Sequence, residues 1–494
     1  MERHFNDQEL AKREKLSKLQ KEGNDPFLVQ KFVRNYNCET FKDEFDKFSK
    51  EELHENTTKV LIAGRIMAIR QTFGIIKDFY GKIQFYIHKK TFDTKQWELF
   101  DKYLDVGDII GIEGTPMKTN SNELTIRVSN ITLLSKSLKP LPEKFHGLTD
   151  EEDRRRKRHL DLLMNEKSAQ TFVIRSKITQ CVREILIKKG FFEVDTPVLQ
   201  PIYGGAAAKP FSTHFNALNR DVFLRIAPEL YLKRLIAGGF EKVFEFSRNF
   251  RNEGTDTTHN PEFTVLEHYS AYDSLIDVMD LTEEIYHSCA RLLKKDVYKF
   301  RGYEIDLSKP FRRISMVDLI KETCGVDFDS IKTIEQALEL AKQHHIEVAD
   351  NQRKIGYIIA LFFEKYGEEK CIQPTFVHTH PLDTSPLTKK NPLNPNFVDR
   401  FELFIGGKEA ANAYSELNNP IEQLQRFEEQ LLTGKIDDES WTNEIDMEFI
   451  EAMEHGMPPM GGNGIGWDRF CMLFTENDSI RDVLFFPMMK DNEK

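Results

Sequence analysis

The stretch at residues 245–272, EFSRNFRNEGTDTTHNPEFTVLEHYSAY, contains side chains that suit a nucleotide and amino-acid site. Apolar and polar residues alternate up to Phe250, the pattern breaks at 252–254, and a β-prone run begins at Glu262. This pattern predicts an antiparallel strand pair with a long charged loop. An arginine binds phosphate or carboxylate, a carboxylate holds an amine, and a phenyl ring offers a face for stacking. The loop and its mouth carry these types: Arg251, Glu253, His259, Asn260 and Phe263. The alternative is a hairpin whose charged loop is merely solvated.

A second stretch, GGNGIGWDRF at 461–470, favours the binding-site interpretation. Glycines alternate at Gly462, Gly464 and Gly466, and Asp468 and Arg469 then open an amphipathic run. Glycine lets a backbone approach a ligand closely, and an arginine where a helix begins can hold a phosphate. Arginines in both stretches suggest one phosphate chain held from two sides. The glycine spacing is not G-x-G-x-x-G, and the chain contains no P-loop or kinase element, which excludes those nucleotide-binding classes.

The 494 residues are enough for roughly three domains. The formal net charge of −11 argues against nonspecific nucleic-acid binding, so any RNA contact must come from a local surface. Six cysteines without a C-x-x-C pair fit reduced thiols rather than disulfides or zinc. No apolar run approaches the length of a membrane span, and the charged N-terminus resembles neither a signal nor a transit peptide. We therefore expect a cytoplasmic protein.

Residues 58–137 have the strand pattern of a small β-barrel. Five strand-like runs are separated by glycine or polar breaks: KVLIAGRIMAI, GIIKDF, KIQFYIH, DIIGIEG and ELTIRVSNITLL. They predict an OB-type barrel, a fold that binds single-stranded nucleic acid by stacking bases on aromatic rings. Residues 1–57 form a charged N-terminal extension and connector. Within this extension, residues 7–23 predict an exposed helix, and a solvated helix or frayed tail is favoured over an RNA-binding arm.

Residues 138–166 are predicted to link the barrel to a larger domain at 167–494, because their proline-rich start is a boundary signal. The basic cluster at 154–158 either touches RNA phosphates or pairs with the preceding acidic residues on a helix face. Apolar spacing predicts a helix from Ser168 towards Gly190 and another that starts at Pro228. An acidic side chain is favourable at a helix N-terminus, and this structural reason is sufficient to explain the presence of Glu229.

The stretch RFELFIGGKEAANAYSELNNP at 400–420 predicts a second hairpin, with Gly406 and Gly407 at its turn. Strand alternation places Asn412, Tyr414 and Glu416 on one face, as a shared pocket requires. A hairpin with a polar exposed face is the alternative.

The segments FRNEG…HNPEF and GNGIGWDRF together resemble motifs 2 and 3 of the class II aminoacyl-tRNA synthetases, and GFFEVDTPVL at 190–199 resembles motif 1. The resemblance covers the chain from about residue 58 onward and is nearest to the lysine-specific members. It implies an α+β fold: an OB-type anticodon-binding barrel and a class II catalytic domain, an antiparallel sheet flanked by helices. It also implies that a homodimer formed through motif 1 uses ATP to attach L-lysine to tRNA(Lys) through a lysyl-adenylate, releasing AMP and pyrophosphate.

The resemblance assigns roles to individual residues. Arg251 would bridge the amino-acid carboxylate and the α-phosphate, and Arg469 would hold the far phosphates. Glu402 and Glu409 resemble the carboxylate pair that holds Mg²⁺ on ATP, an ion that prefers oxygen ligands. The further ATP-binding assignments are Glu253, His259, Asn260, Phe263, Gly466 and Asp468. The further lysine-binding assignments are Gly205, Glu229, Glu267, Tyr269, Asn412, Tyr414 and Glu416.

In the barrel, the resemblance implies that Phe73 stacks on an anticodon base, that Gln84 reads the edge of that base and that Arg70 assists. A buried residue of the barrel core is the alternative for Phe73.

A lysine substrate ends in a strongly hydrated ammonium that is costly to bury unpaired. Glu416, with Glu267 and Tyr269, is expected to form an acidic pocket without an added arginine or lysine, which disfavours the relatives specific for aspartate or asparagine. Two hypotheses from other classes are a ligase that modifies a protein and a noncatalytic RNA-binding paralogue. The barrel at 58–137 argues against the first, and retention of both motif arginines and of the predicted magnesium carboxylates argues against the second.

Overall fold

The computed structural model describes residues 4–142, 148–437 and 444–490, and the chain divides into two compact units, 1–149 and 150–494. The predicted extension, linker and large domain each include residues outside the described part, namely 1–3, 143–147, 438–443 and 491–494. In the described ranges, no helix combines the length and the apolar character needed to cross a membrane.

The first unit contains a closed five-stranded barrel with the strand order β1-β2-β3-β5-β4. Its elements are α1 Asp7–Lys21, α2 Cys38–Phe45, α3 Lys50–Glu55, β1 Val60–Arg70, β2 Phe73–Lys77, β3 Lys82–Tyr86, α4 Thr94–Glu98, β4 Ile109–Lys118 and β5 Leu124–Ser135. Alternate residues such as Ile62, Ile76 and Ile112 point inward and are fully buried, because successive strand side chains face opposite sides. The predicted five-stranded barrel is confirmed.

The N-terminal helices are part of this unit. Leu19 and Phe41 are buried in the same apolar cluster as the barrel interior. The Lys15 ammonium contacts the Asp105 carboxylate at 2.7 Å, and Lys12 donates to the Val106 carbonyl at 3.1 Å. The prediction of a solvated helix or frayed tail at 7–23 is therefore wrong. The helix is polar on most of its surface, and its few packing positions were too sparse to indicate burial.

The second unit is built on an eight-stranded sheet with the order β14-β15-β16-β17-β18-β11-β10-β6, which is antiparallel except at its two ends. The strands of the unit are β6 Phe192–Glu193, β7 Leu199–Gln200, β8 Ser212–Phe215, β9 Arg220–Leu224, β10 Lys242–Phe250, β11 Glu262–Ala271, β12 Val297–Phe300, β13 Tyr303–Asp306, β14 Arg312–Ser315, β15 Thr375–Pro381, β16 Phe397–Ile405, β17 Lys408–Ser415 and β18 Met460–Gly466. Both predicted hairpins, β10–β11 and β16–β17, are confirmed.

Helices cover one face of the sheet. The helices of this unit are α5 Glu151–Arg156, α6 Arg158–Met164, α7 Glu166–Lys188, α8 Glu229–Ala237, α9 Leu275–Leu293, α10 Met316–Cys324, α11 Ile334–Gln343, α12 Ile355–Tyr366, α13 Pro420–Asp437, α14 Met447–Glu454, α15 Trp467–Thr475 and α16 Ile480–Val483. Side chains from α7, α9 and α15 pack on Leu266, Leu403 and Ile465 of the sheet in one large core. On the other face, α8 packs beside Val243 and Ala271, and part of β11, β17 and β18 borders a cavity.

The basic cluster at 154–158 pairs within the second unit. Arg154 donates to Asp161 at 2.8 Å, Arg155 donates to Asp482 at 2.9 Å, and Arg158 donates to Asp161 at 2.7 Å. Arg155 and Arg156 also pair with the preceding Glu151 and Glu152, as the second interpretation expected.

Candidate active site

Three adjacent strands, β11, β18 and β17, form the floor of a cavity. In their register, Tyr269 on β11 and Tyr414 on β17 lie on either side of Gly462 on β18. One step along, Glu267 and Asn412 lie on either side of Gly464 in the same way. The alternating glycines therefore form a strip without side chains between two rows of polar groups.

Position 462 requires glycine, because a side chain there would not fit. A Cβ atom there would lie 2.1 Å from Glu416 Oε1 and 2.5 Å from the Tyr269 ring, closer than real contacts allow. Gly205 meets a similar constraint on the opposite wall, where its φ of +85° favours glycine and a Cβ would lie 3.1 Å from the Cβ of Glu229. Both glycines leave room for the carboxylates beside them.

The cavity has a volume of about 450 Å³. It brings together all the candidate residues of the large domain except Glu402: Gly205, Glu229, Arg251, Glu253, His259, Asn260, Phe263, Glu267, Tyr269, Glu409, Asn412, Tyr414, Glu416, Gly466, Asp468 and Arg469. Residues that lie more than two hundred positions apart in the chain thus share one concave surface.

One end of the cavity is cationic. The Arg251 guanidinium lies 5.0 Å from the centre of the Phe263 ring, and its Nε has no hydrogen-bond partner among the described residues. Burial lowers the pKa of Arg251, and Glu253 and Glu409 partly oppose this effect. Arg469 donates to the Glu409 carbonyl at 2.8 Å and contacts His259 Nε2 at 3.5 Å. An anionic ligand would satisfy both guanidinium groups.

The charged loop between β10 and β11 is organised rather than merely solvated. The Asp256 carboxylate accepts from the backbone N–H of His259 at 2.7 Å and contacts His259 Nδ1 at 2.8 Å. The Asn260 amide donates to the Glu262 carbonyl at 2.6 Å. These bonds hold the imidazole near Arg469 at the mouth of the cavity.

Asp468 lines the cavity but binds the scaffold. One carboxylate oxygen accepts from the Thr264 backbone N–H at 2.7 Å, and the other accepts from Arg175 at 2.6 Å. Asp468 therefore joins α15 to β11 and α7. Its predicted contact with ATP remains a prediction.

The carboxylate of Glu402 does not line the cavity, and it is held by Arg400 at 2.5 Å. Arg400 does line the cavity, and it also donates to the Asn412 side-chain oxygen at 3.0 Å. Burial and the nearby Glu402 charge raise the pKa of Glu409. The two carboxylates are therefore electrostatic neighbours, and a shared cation would relieve their repulsion.

The other end of the cavity is acidic. Tyr414 donates to Glu229 Oε1 at 2.7 Å, and Tyr269 donates to Glu267 Oε2 at 3.0 Å. Burial and the charge of Glu229 raise the pKa of Glu267 to about 8. Burial also raises the pKa of Glu416 well above its ordinary value, and the neighbouring cation opposes this only in part.

That neighbouring cation is Lys233, which the sequence analysis missed. Its ammonium contacts Glu229 at 2.5 Å and also forms an ion pair with Glu416. The expectation of an acidic pocket without an added lysine or arginine is therefore wrong, since Lys233 and Arg400 both bind its polar residues. The available signal was the spacing of Glu229 and Lys233, four residues apart on one helix face.

On the barrel, Phe73 lies on the outer face, because its neighbours Gly74 and Ile76 point inward. The Phe73 ring packs on Tyr86, with the ring centres 4.7 Å apart. Arg70 is the cross-strand partner of Phe73, and Gln84 is the partner of Ile75 on the next strand. Phe73 is thus not a residue of the barrel core, and sequence reasoning missed the adjoining aromatic Tyr86.

Comparison with known proteins identifies the family. A family model described as tRNA synthetases class II (D, K and N) matches residues 150–490, and one described as OB-fold nucleic acid binding domain matches residues 60–134. The lysine–tRNA ligase of Ureaplasma urealyticum is 55% identical over the full length of both chains. The chain belongs to the lysine–tRNA ligase family of class II synthetases.

Other members of the family are similarly close. The lysine–tRNA ligase of Malacoplasma penetrans is 52% identical over the whole of both chains. That of Lactococcus lactis subsp. lactis is 51% identical over 98% of this chain and 99% of its own. The predicted family, enzyme class and two-part fold are confirmed.

The raised pKa of Glu267 predicts how stability depends on pH. The native state keeps a proton that the unfolded state releases, so the free energy of unfolding should fall as pH rises from 4.5 to about 8. Glu267→Gln has no carboxyl proton to lose, so its free energy of unfolding should fall less steeply with rising pH. The two slopes should differ by up to about 1.4 kcal/mol per pH unit. Urea unfolding at pH 5 to 8 measures the difference. Glu262→Gln, exposed on the same strand, should follow the unmodified protein. Equal slopes for Glu267→Gln and the unmodified protein would contradict the assignment.

Proposed function

We propose that this protein attaches L-lysine to tRNA(Lys) in two steps within the cavity described above. Lysine and ATP first form a lysyl-adenylate and release pyrophosphate, and the terminal ribose of the tRNA then takes the lysyl group and releases AMP. The observation that carries the proposal is one cavity with two arginines at one end and a cluster of buried carboxylates at the other.

The cationic end suits the triphosphate. Arg251 would contact both the lysine carboxylate and the α-phosphate, which brings the attacking oxygen close to phosphorus and neutralises charge in the transition state. Arg469, with His259 beside it, would bind the far phosphates. Phe263, stacked under Arg251, offers the face on which adenine would lie. Because these groups act by placement and charge, no covalent intermediate with the protein is needed.

The acidic end suits a substrate with two amino groups. Glu229, beside Gly205, would hold the α-amino group, and Glu416, with Asn412 and Tyr414, would bind the side-chain ammonium. Two of its carboxylates, those of Glu229 and Glu416, share one buried cation, Lys233. A diamino acid would bring further positive charge to these carboxylates, and an aspartate side chain would not.

Glu402 and Glu409 are the residues that would hold Mg²⁺, because carboxylate oxygens are suitable ligands for this ion. Glu402 would have to leave its ion pair with Arg400 to take part. When bound there, Mg²⁺ would neutralise charge on the ATP phosphates. Two side chains leave most of the coordination to phosphate oxygens and water, as is usual for this ion with nucleotides.

The barrel would bind the anticodon. Phe73 and Tyr86 provide an aromatic surface on the outer face, and Gln84 lies on the adjacent strand, where its amide can reach a base edge. The Gln84 side-chain oxygen accepts from the Thr125 hydroxyl at 2.8 Å, which would fix the orientation of the amide. Arg70, across from Phe73, would add a contact to phosphate or base.

A homodimer formed through the motif 1 region agrees with the surface there. Phe192, on the two-residue edge strand β6, is 64% exposed and packs edge-to-face on the exposed Phe240. These two exposed rings form an apolar patch at the edge of the eight-stranded sheet, and Leu199 on β7 is also 53% exposed. A second copy would cover this patch. A cytoplasmic location would suit an enzyme of translation.

Amino-acid-dependent exchange of pyrophosphate into ATP tests the proposal on the full chain. Lysine should support exchange, while aspartate and asparagine should not. Exchange with another amino acid would retain the class II chemistry and overturn the role of Glu416. Absence of exchange with every amino acid would favour the noncatalytic alternative.

Arg251→Ala should lower the lysine-dependent exchange rate by at least about 10²–10³-fold, because it removes the group that would neutralise the reacting phosphate. The fold should be preserved, since the Arg251 side chain lies in the cavity and its Nε makes no hydrogen bond within the described chain. The matched control is Arg248→Ala, an exposed arginine on the preceding strand, which should retain exchange. Unchanged exchange in Arg251→Ala would refute the assignment.

Phe73→Ala should raise the KM for tRNA(Lys) in the charging reaction by roughly 5- to 150-fold, the range expected for loss of stacking on one base. Lysine-dependent exchange without tRNA should not change. Phe79→Ala, which removes a ring that is 76% exposed in the same barrel, is the matched control and should alter neither activity. Equal loss of exchange and charging in Phe73→Ala would indicate a folding role instead.

A further inference from the structure

Lys233 is buried at the acidic end of the cavity, and the proposed reaction gives it no role. Helix α8 presents Glu229 and Lys233 on one face, four residues apart. The Lys233 side chain is 1% exposed, and its ammonium lies between Glu229 and Glu416 and 5.4 Å from the Tyr414 ring centre. Burial opposes its charge, but the two carboxylates more than compensate and raise the pKa of Lys233 above its ordinary value.

The ion pairs of Lys233 use only one oxygen of each carboxylate. On Glu229, Oε1 receives both the Lys233 ammonium and the Tyr414 hydroxyl. On Glu416, Oε2 faces Lys233. The same cation therefore restrains the two groups that would hold opposite ends of a lysine substrate.

The second oxygen of each carboxylate lies beside a glycine that lines the cavity. Glu416 Oε1 lies over the glycine floor, 2.1 Å from where a Cβ of Gly462 would be. In the described part of the chain, neither oxygen of Glu416 has a hydrogen-bond partner, and Oε2 alone forms the ion pair with Lys233. Glu229 Oε2 lies 3.6 Å from where a Cβ of Gly205 would be, on the opposite wall. A buried oxygen without a donor is costly, and a ligand N–H would satisfy it.

We propose that Lys233 is a positioning residue for amino-acid recognition: it is the shared counter-ion of Glu229 and Glu416, and it holds one oxygen of each so that the other oxygen faces the substrate. This inference rests on the proposed lysine-dependent function. Lys233 does not touch the substrate in this arrangement. It holds both carboxylates in a fixed orientation before the substrate arrives.

The consequence of losing Lys233 follows from burial. Two carboxylates in a buried site without a cation repel each other and take up protons, and a protonated carboxyl is a poor partner for an ammonium. Binding of the amino acid should therefore weaken. The arginines that would bind ATP lie at the other end of the cavity, so binding of ATP should not weaken.

Exchange kinetics of the full-length Lys233→Met variant test the inference, because methionine keeps much of the length of the side chain and removes its charge. The KM for lysine should rise at least tenfold, while the KM for ATP should stay within twofold. The matched control is Lys242→Met, which removes a partly exposed lysine at the start of β10 that pairs with Asp273, and it should change neither value. Thermal unfolding of both variants reports whether they remain folded.

A double-mutant cycle separates positioning from general packing. Glu416→Gln removes one of the two partners of Lys233, so Lys233→Met should raise the KM for lysine by a smaller factor in that background than in the unmodified protein. Should Lys233→Met fail to fold, Lys233→Arg retains the charge and should affect the KM for lysine more than the KM for ATP.

Three results would overturn the inference alone, provided that the unmodified protein shows lysine-dependent exchange. They are an unchanged KM for lysine in Lys233→Met, equal changes in the KM values for lysine and ATP, and full additivity in the cycle. No lysine-dependent exchange by the unmodified protein would overturn the proposed function and the inference together.

Discussion

The ion pairs of Lys233 with Glu229 and Glu416 lie where helix α8, the end of strand β17 and the glycine floor of β18 converge. Burying three charges together is favourable only if each one has partners at short range. The α8 helix supplies two of the three groups from one face, and the sheet supplies the third. A glycine at 462 is then necessary, because any side chain would occupy the space of Glu416. The position of the acidic end thus depends on a few close contacts.

The scaffold behind the cavity is held by another buried group. Asp468 binds the backbone of β11 and the side chain of Arg175 on α7, so the helix that carries Arg469 is attached to both the sheet and the helical layer. Beside it, Trp467 is 1% exposed and stacks on Phe470, with ring centres 4.6 Å apart. These contacts restrain the start of α15. Arg469 can then project into the cavity from a rigid element, as precise placement of a phosphate ligand requires.

The barrel unit follows a simpler rule. Its strands alternate between inward apolar residues, which form the core, and outward residues, which are free to bind a ligand. Phe73 belongs to the outward set, and its contact with Tyr86 costs little because both rings remain partly exposed. A surface of this kind binds bases by stacking without changing the barrel core. This arrangement agrees with a chain of net charge −11, in which a local surface rather than overall charge must attract RNA.

The sequence by itself determined both hairpins, the five barrel strands and the start of α15. These features depend on local spacing, which alternation and glycine positions record directly. Only the tertiary structure revealed that Lys233 pairs with Glu229 and Glu416 and that Arg400 pairs with Glu402. Each of these ion pairs connects the active site to a charged residue, Lys233 or Arg400, that has no distinctive sequence pattern. Lys233 has the spacing of a common surface pair on a helix, and its burial depends on strands nearly two hundred residues away, which sequence spacing does not encode.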